Sequence, residues 1–93
     1  MRYDYDKALT DVKEYIESFR GNNYYASVRG TEVLDLLRSE QMLESFCIGN
    51  IVKYVIRLGK KDVQKKEDMM KVFHYMIILL ILEDPDRYEV KES

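Results

Sequence analysis

The sequence is poor in the residues that usually announce chemistry. It has one cysteine, Cys47, one histidine, His74, and no tryptophan. A single cysteine forms no internal disulfide and fits a reducing compartment. With one imidazole and one thiol, a zinc cage of histidines and thiolates is excluded. No excess of one charge exists either: the formal net charge is -2 over 93 residues. That gives no general attraction to nucleic acid or to an anionic membrane, so any anion site has to be local. The longest apolar run, Tyr75 to Leu82, falls far short of the ~20 residues that cross a bilayer. The opening MRYDYDKALTD has no apolar stretch, so no signal peptide is expected and the location is expected to be cytoplasmic. Alternation of the kind that marks strands is missing, as are hairpin turn signals.

What remains is helical. Hydrophobic residues make up 46% and charged residues 34%, the balance of a folded domain and not of a disordered chain. The length fits one domain, 1–93, near the low end for a self-sufficient core. From Asp6 to about Arg20, Leu9, Val12, Tyr15, Ile16 and Phe19 recur at helical spacing, and Gly21 is expected to stop the run. Asp11, Glu14 and Glu17 stack on the other side. Such a row can hold a divalent cation or can simply be solvated. GNNYYASVRG, from Gly21 to Gly30, reads as a connection carrying Tyr24, Tyr25 and Arg29. Aromatic and guanidinium groups there can stack on a base, or a tyrosine can anchor the loop to the core. Thr31 is a candidate N-cap for a short helix from Glu32 to about Arg38, with Glu32 and Asp35 on one face.

The central stretch is SFCIGNIVKYVIRLGKK, Ser45 to Lys61. Ile48, Ile51, Val52, Val55, Ile56 and Leu58 cover one broad side of a helix. Asn50, Lys53, Tyr54 and Arg57 share the opposite side at i, i+3, i+4 and i+7. An amide, an amine, a phenol and a guanidinium on one rigid face suit a phosphate or nucleotide. The same stripe is also what a solvated outer face looks like. Gly59, Lys60 and Lys61 end the helix with a residue able to turn left-handed and two cations. Cys47 lies inside the helical pattern and reads as a small packed residue, not a nucleophile.

The last helix runs from about Lys65 to Glu83, and Asp84-Pro85-Asp86 ends it. Its second half, YMIILLIL, is apolar on all sides and must be covered on all sides. Three other helices can barely do that in a chain this short. Part of this surface is therefore expected to meet another copy. His74, beside Phe73 and Tyr75, reads as a packed or interfacial histidine. The fold class is all-α: a compact bundle of about four helices, expected to be oligomeric.

Known phosphate motifs do not fit. A P-loop needs G-x-x-x-x-G-K-[ST] after a strand. Here Lys61 follows Gly59-Lys60, and Tyr54 stands where the first glycine belongs. All-α pyrophosphohydrolases hold magnesium between two carboxylate pairs. Glu14 with Glu17, or Glu32 with Asp35, offers one pair, but Glu67 and Asp68 are adjacent and point apart.

A longer pattern is present. F-C-x-G-N-x-x-K-Y-x-x-R-x-G-K-K runs through Phe46, Cys47, Gly49, Asn50, Lys53, Tyr54, Arg57, Gly59, Lys60 and Lys61. Glu32, Val33, Leu34 and Asp35 precede it, and Glu67, Asp68, Met69, Lys71 and Tyr75 follow it. The pattern, over roughly Asn23 to Leu82, closely resembles the SaV-like bacteriophage proteins, whose best-known relative is a phage nucleotide kinase. The resemblance implies a phage protein of the host-cell cytoplasm that acts on deoxynucleoside phosphates without a P-loop. It implies a nucleotide or deoxynucleotide ligand, with Mg2+ as a candidate cofactor. Lys53, Arg57, Lys60 and Lys61 would supply cations, and Asn50 and Tyr54 would orient the nucleotide. Glu32, Asp35 or Asp68 would hold a metal or bind sugar and base. One departure bears on catalysis. The related proteins carry S-H-Y where this chain has Asn23, Tyr24 and Tyr25, so Tyr24 replaces a histidine. A non-catalytic alternative follows: capture of a nucleotide or nucleotide-derived signal, or inhibition of a host protein.

Overall fold

A computed structural model describes residues 2–22, 35, 37–60 and 64–88. Among these residues all regular structure is helical, and the all-α fold expected from the sequence is what the structure shows. The elements are α1 (Tyr5–Asn22), α2 (Leu43–Leu58), α3 (Lys65–Glu83) and a single turn, α4 (Pro85–Tyr88). No helix among the described residues is long and apolar enough to cross a membrane.

Local chemistry sets the ends. Asp4 caps α1: its Oδ1 accepts the backbone N–H of Lys7 at 2.8 Å, which satisfies one of the orphan donors of the first turn. At the other end α1 continues through Gly21 to Asn22, so the glycine expected to stop it does not. Most of the short helix expected from Glu32 lies outside the described residues, but its end is seen. Leu37 to Ser39 are helical. The N–H of Met42 then returns to Leu37 O at 2.7 Å and that of Gln41 to Arg38 O at 3.0 Å. This pair of bonds is a Schellman turn. Its left-handed position, normally glycine, is Gln41 at φ 59°.

α2 begins directly after that turn. It ends at Gly59, whose φ of -80° is right-handed, contrary to the left-handed end expected. The last turn tightens instead, with Gly59 N–H on Ile56 O at 3.2 Å and Lys60 N–H on Arg57 O at 3.0 Å. α3 matches its expected bounds. Pro85 stops it and opens the short α4, where its fixed φ and missing N–H cost nothing.

α2 and α3 form the body of the domain as an antiparallel hairpin, in which Arg57 near the end of α2 meets Asp68 near the start of α3. The buried side chains are Leu43, Cys47, Tyr54 and Tyr75, with Asp68 beside them. Phe46, Ile51, Val72, Ile78, Leu79 and Leu82 pack around this centre.

The orientation of α2 is the main correction. The aliphatic side was expected to face the core and the polar stripe to face out. In the structure Cys47 and Tyr54 are buried, while Ile48, Val52, Val55 and Ile56 are 46–60% exposed. Ile51 and Leu58 are only half-buried. Aromatic area explains the choice: one tyrosine ring stacked on another covers more of the partner helix than a valine does. Two more expectations shift with it. Leu9, assigned to the buried side of α1, is 67% exposed. In the apolar half of α3, Ile78 and Leu79 face α2, and Met76, Ile77, Leu80 and Ile81 are the outward side chains.

Candidate functional site

The α2–α3 hairpin gathers the polar side chains around one ring. Asn50, Tyr54 and Arg57 recur one turn apart and so stand in a row on α2. The Tyr54 ring lies 6.4 Å from that of Tyr75, centroid to centroid, with the planes 14° apart. Phe46 meets Tyr75 edge-on at 5.9 Å. Together these rings make a rigid apolar floor.

Three cations surround that floor. Lys53 Nζ lies 4.6 Å from the Tyr54 centroid, Lys71 Nζ 4.9 Å and the Arg57 Cζ 5.5 Å. The electron-rich ring attracts each of them. They also repel one another, so their gathering needs negative charge nearby. Arg57 Nε is 3.4 Å from Asp68 Oδ2, and Lys71 Nζ is 3.9 Å from Glu67 Oε1. Among the described residues, three cations against two carboxylates leave one positive charge over. Among the described residues Lys53 has no carboxylate partner.

Asp68 is 1% exposed. Its Oδ2 accepts no hydrogen bond; the 3.4 Å approach of Arg57 supplies attraction without the alignment of a bond. A buried carboxylate oxygen in that state is held in place by opposite charge, so Arg57 braces α2 against α3 as well as facing the ring. Asn50 Nδ2 donates to Phe46 O at 2.9 Å. One of its two amide protons is thus spent within its own helix.

The two scarce residues sit at the edge of this arrangement. Cys47 is fully buried, and burial pushes its thiol up to about 11, which keeps it protonated and inert as a nucleophile. Its expected packing role agrees with that placement. His74 is half-buried, stacked 6.3 Å from Tyr75, and burial lowers its pKa from the ordinary 6.5, which favours the neutral ring.

Of the residues singled out in the sequence, Asn50, Lys53, Tyr54, Arg57 and Asp68 are brought together. Lys60 follows the end of α2 and is exposed, and Asp35 is exposed. Tyr24, Tyr25, Glu32 and Lys61 lie outside the described residues. Lys71 was given no role in the sequence and belongs with the cluster. Its signal was its place in the pattern with Glu67, Asp68, Met69 and Tyr75, three residues after Asp68 and on the same face of α3. Seeing its place beside Tyr54 requires the register of the hairpin. Among the described residues no three histidine, cysteine, aspartate or glutamate side chains come together as metal ligands. Asp11 and Glu14 of the acidic row on α1 instead line an open cleft of about 740 Å³ together with Lys65 and Lys66 from the first turn of α3.

The fold and this cluster define a small helical domain built on an α2–α3 hairpin with a tyrosine-centred cationic face. A family of proteins of unknown function, DUF3310, matches residues 20–76, more than half the chain, and the chain belongs to that family. The matched stretch contains every residue of the Tyr54 cluster. No curated protein and no solved structure matches the chain.

Proposed function

We propose that this chain is a nucleotide-binding protein that takes the phosphates of a deoxynucleotide on the Tyr54 face. The observation that carries the reading is the surplus positive charge of Lys53, Arg57 and Lys71 around one buried ring. Phosphate oxygens would supply the missing counter-charge. Arginine grips phosphate through paired donors, and the two lysines act as point charges. The resemblance to SaV-like phage proteins supplies the ligand class, deoxynucleoside phosphates, and the setting, a host-cell cytoplasm. In the kinase-like form of this reading the cations position and neutralise the phosphates while a phosphoryl group passes from a donor nucleotide to a deoxynucleoside monophosphate. In the binder form the nucleotide is held without turnover, which Tyr24 favours because it stands where the related proteins carry a histidine. Both forms take the chain to work as a homo-oligomer.

Calorimetric titration with deoxynucleoside mono- and triphosphates tests the site. Lys53→Ala and Lys71→Ala are the clean probes, because neither lysine braces the buried Asp68. Each should weaken binding by roughly tenfold, the worth of one charge-assisted bond at about 1.5 kcal/mol. No binding by the natural chain, or unchanged affinity in both variants, sinks the reading. A turnover assay on whichever nucleotide binds then separates kinase from binder.

A further inference from the structure

Two carboxylates stand side by side in the first turn of α3. Each meets one cation of the Tyr54 cluster, and the two are held in opposite ways. Glu67 pairs with Lys71 at 3.9 Å, and its side chain is 49% exposed. A pair that open is weak, and its carboxylate can turn into water. Asp68 is 1% exposed and has no such freedom. Its Oδ2 accepts no hydrogen bond, a condition that costs a buried carboxylate stability.

We propose that Asp68 is a positioning residue for the Tyr54 site: it holds the guanidinium of Arg57 through Nε, so that the terminal nitrogens are presented to an anionic ligand. The proposal rests on the nucleotide reading above. It gives Asp68 an effect on affinity opposite in sign to the effect of its charge.

The point of contact is the first argument. Arg57 approaches Asp68 with Nε, the nitrogen nearest its aliphatic stem. Arginine grips phosphate with paired donors in a fixed fork. Contact through Nε leaves the terminal Nη pair for a ligand, on a side chain that is 44% exposed.

Restraint is the second. Arg57 Cζ lies 5.5 Å from the Tyr54 centroid, and the Tyr54 ring is buried and stacked on Tyr75. Ring and carboxylate thus hold the guanidinium at two points, both of them in the core. An unrestrained arginine loses several rotors when a ligand immobilises it, and one already held loses less.

Burial is the third. At 1% exposure Asp68 is out of a ligand's reach. It acts on the ligand only through Arg57 and through its own charge. Its charge repels an anion, while its hold on Arg57 helps to bind one, so the two effects can be separated.

Calorimetric titration with deoxynucleoside mono- and triphosphates at low salt separates them. Glu67→Gln and Asp68→Asn make the same change at neighbouring positions, the loss of one negative charge in a side chain of nearly the same shape. Charge alone predicts tighter binding from both. Positioning predicts opposite outcomes. Glu67→Gln should tighten binding about two- to fivefold by releasing Lys71. Asp68→Asn should weaken it about two- to tenfold, the cost of ordering one rotamer-rich side chain. In the Arg57→Ala background Asp68→Asn should no longer weaken binding, whereas a general structural role would weaken it in both backgrounds. The positioning role falls, and the nucleotide reading stands, if Asp68→Asn leaves affinity unchanged or tightens it, if it weakens binding in both backgrounds, or if Glu67→Gln weakens binding as well. No binding of either class of nucleotide by the natural chain overturns both. Should Asp68→Asn lose its helical circular dichroism, Arg57→Lys replaces it. A lysine has one charged nitrogen, which Asp68 would hold, so Arg57→Lys should bind no more than about twofold tighter than Arg57→Ala even though it is the more stable of the two. Any larger recovery of affinity overturns the proposal.

Discussion

On one side of α2, Cys47, Asn50, Tyr54 and Arg57 turn toward α3. On the other, Ile48, Val52, Val55 and Ile56 stand in solvent. The first side contains an amide, a phenol and a guanidinium, and it is the one the domain buries or half-buries. The second is the purer hydrocarbon, and it is left out. The difference shows that hydropathy alone does not orient a helix. Tyr54 brings a large ring that stacks on Tyr75, and the charged ends of Lys53, Lys71 and Arg57 gather over that ring. Among the described residues the aliphatic side has no comparable partner, since α3 is already occupied.

The sharpest way to break this comparison is to truncate both sides in turn. Tyr54→Ala should destabilise the domain by about 3–5 kcal/mol, the usual loss for a buried aromatic, which in so small a core is most of the stability. Val52→Ala, half exposed on the other side, should change monomer stability by less than about 0.5 kcal/mol. Urea midpoints of the two variants, measured at concentrations low enough to dissociate any assembly, decide it. If Val52→Ala costs as much as Tyr54→Ala, the aliphatic side is the true core and the orientation described is wrong.

A smaller effect is expected at Arg57. Removing one partner of a fully buried ion pair costs about 3–5 kcal/mol, but Arg57 is 44% exposed at its side chain, so solvent screens much of that. Arg57→Ala should cost about 1–2 kcal/mol, and Arg57→Lys should recover part of it because the charge facing Asp68 returns. Asp68→Asn in the Arg57→Ala background should then restore stability, since the buried charge is gone. A double variant less stable than Arg57→Ala would show that Asp68 is held by something other than Arg57.

Much of the fold was legible because periodicity reports length and type. The α3 bounds follow from an apolar pattern stopped by Pro85, and α2 from the run between Leu43 and Gly59. Asn50, Lys53, Tyr54 and Arg57 were legible as a row because helical spacing alone brings them together. Their direction was not. Which side of α2 meets α3 depends on Tyr75 and Asp68 being opposite, and that is a register between two helices. Lys71 stands in the sequence pattern, but its place over the Tyr54 ring was hidden for the same reason. Leu9 and Gly21 mislead for a different one: a helix packed along only part of its length need not obey the pattern over all of it.

The Schellman turn before α2 has a practical consequence. Gln41 holds a left-handed conformation that disfavours a side chain by about 1–2 kcal/mol, and it is exposed. Gln41→Gly should relieve that strain, less the extra freedom glycine gives the unfolded chain, for a net gain of about 0.5–1 kcal/mol. The gain would appear as a higher urea midpoint with an unchanged slope. That position is therefore a rescue allele in waiting. A background carrying it would keep weakened Tyr54 or Arg57 variants folded long enough for their ligand affinity to be read apart from their stability.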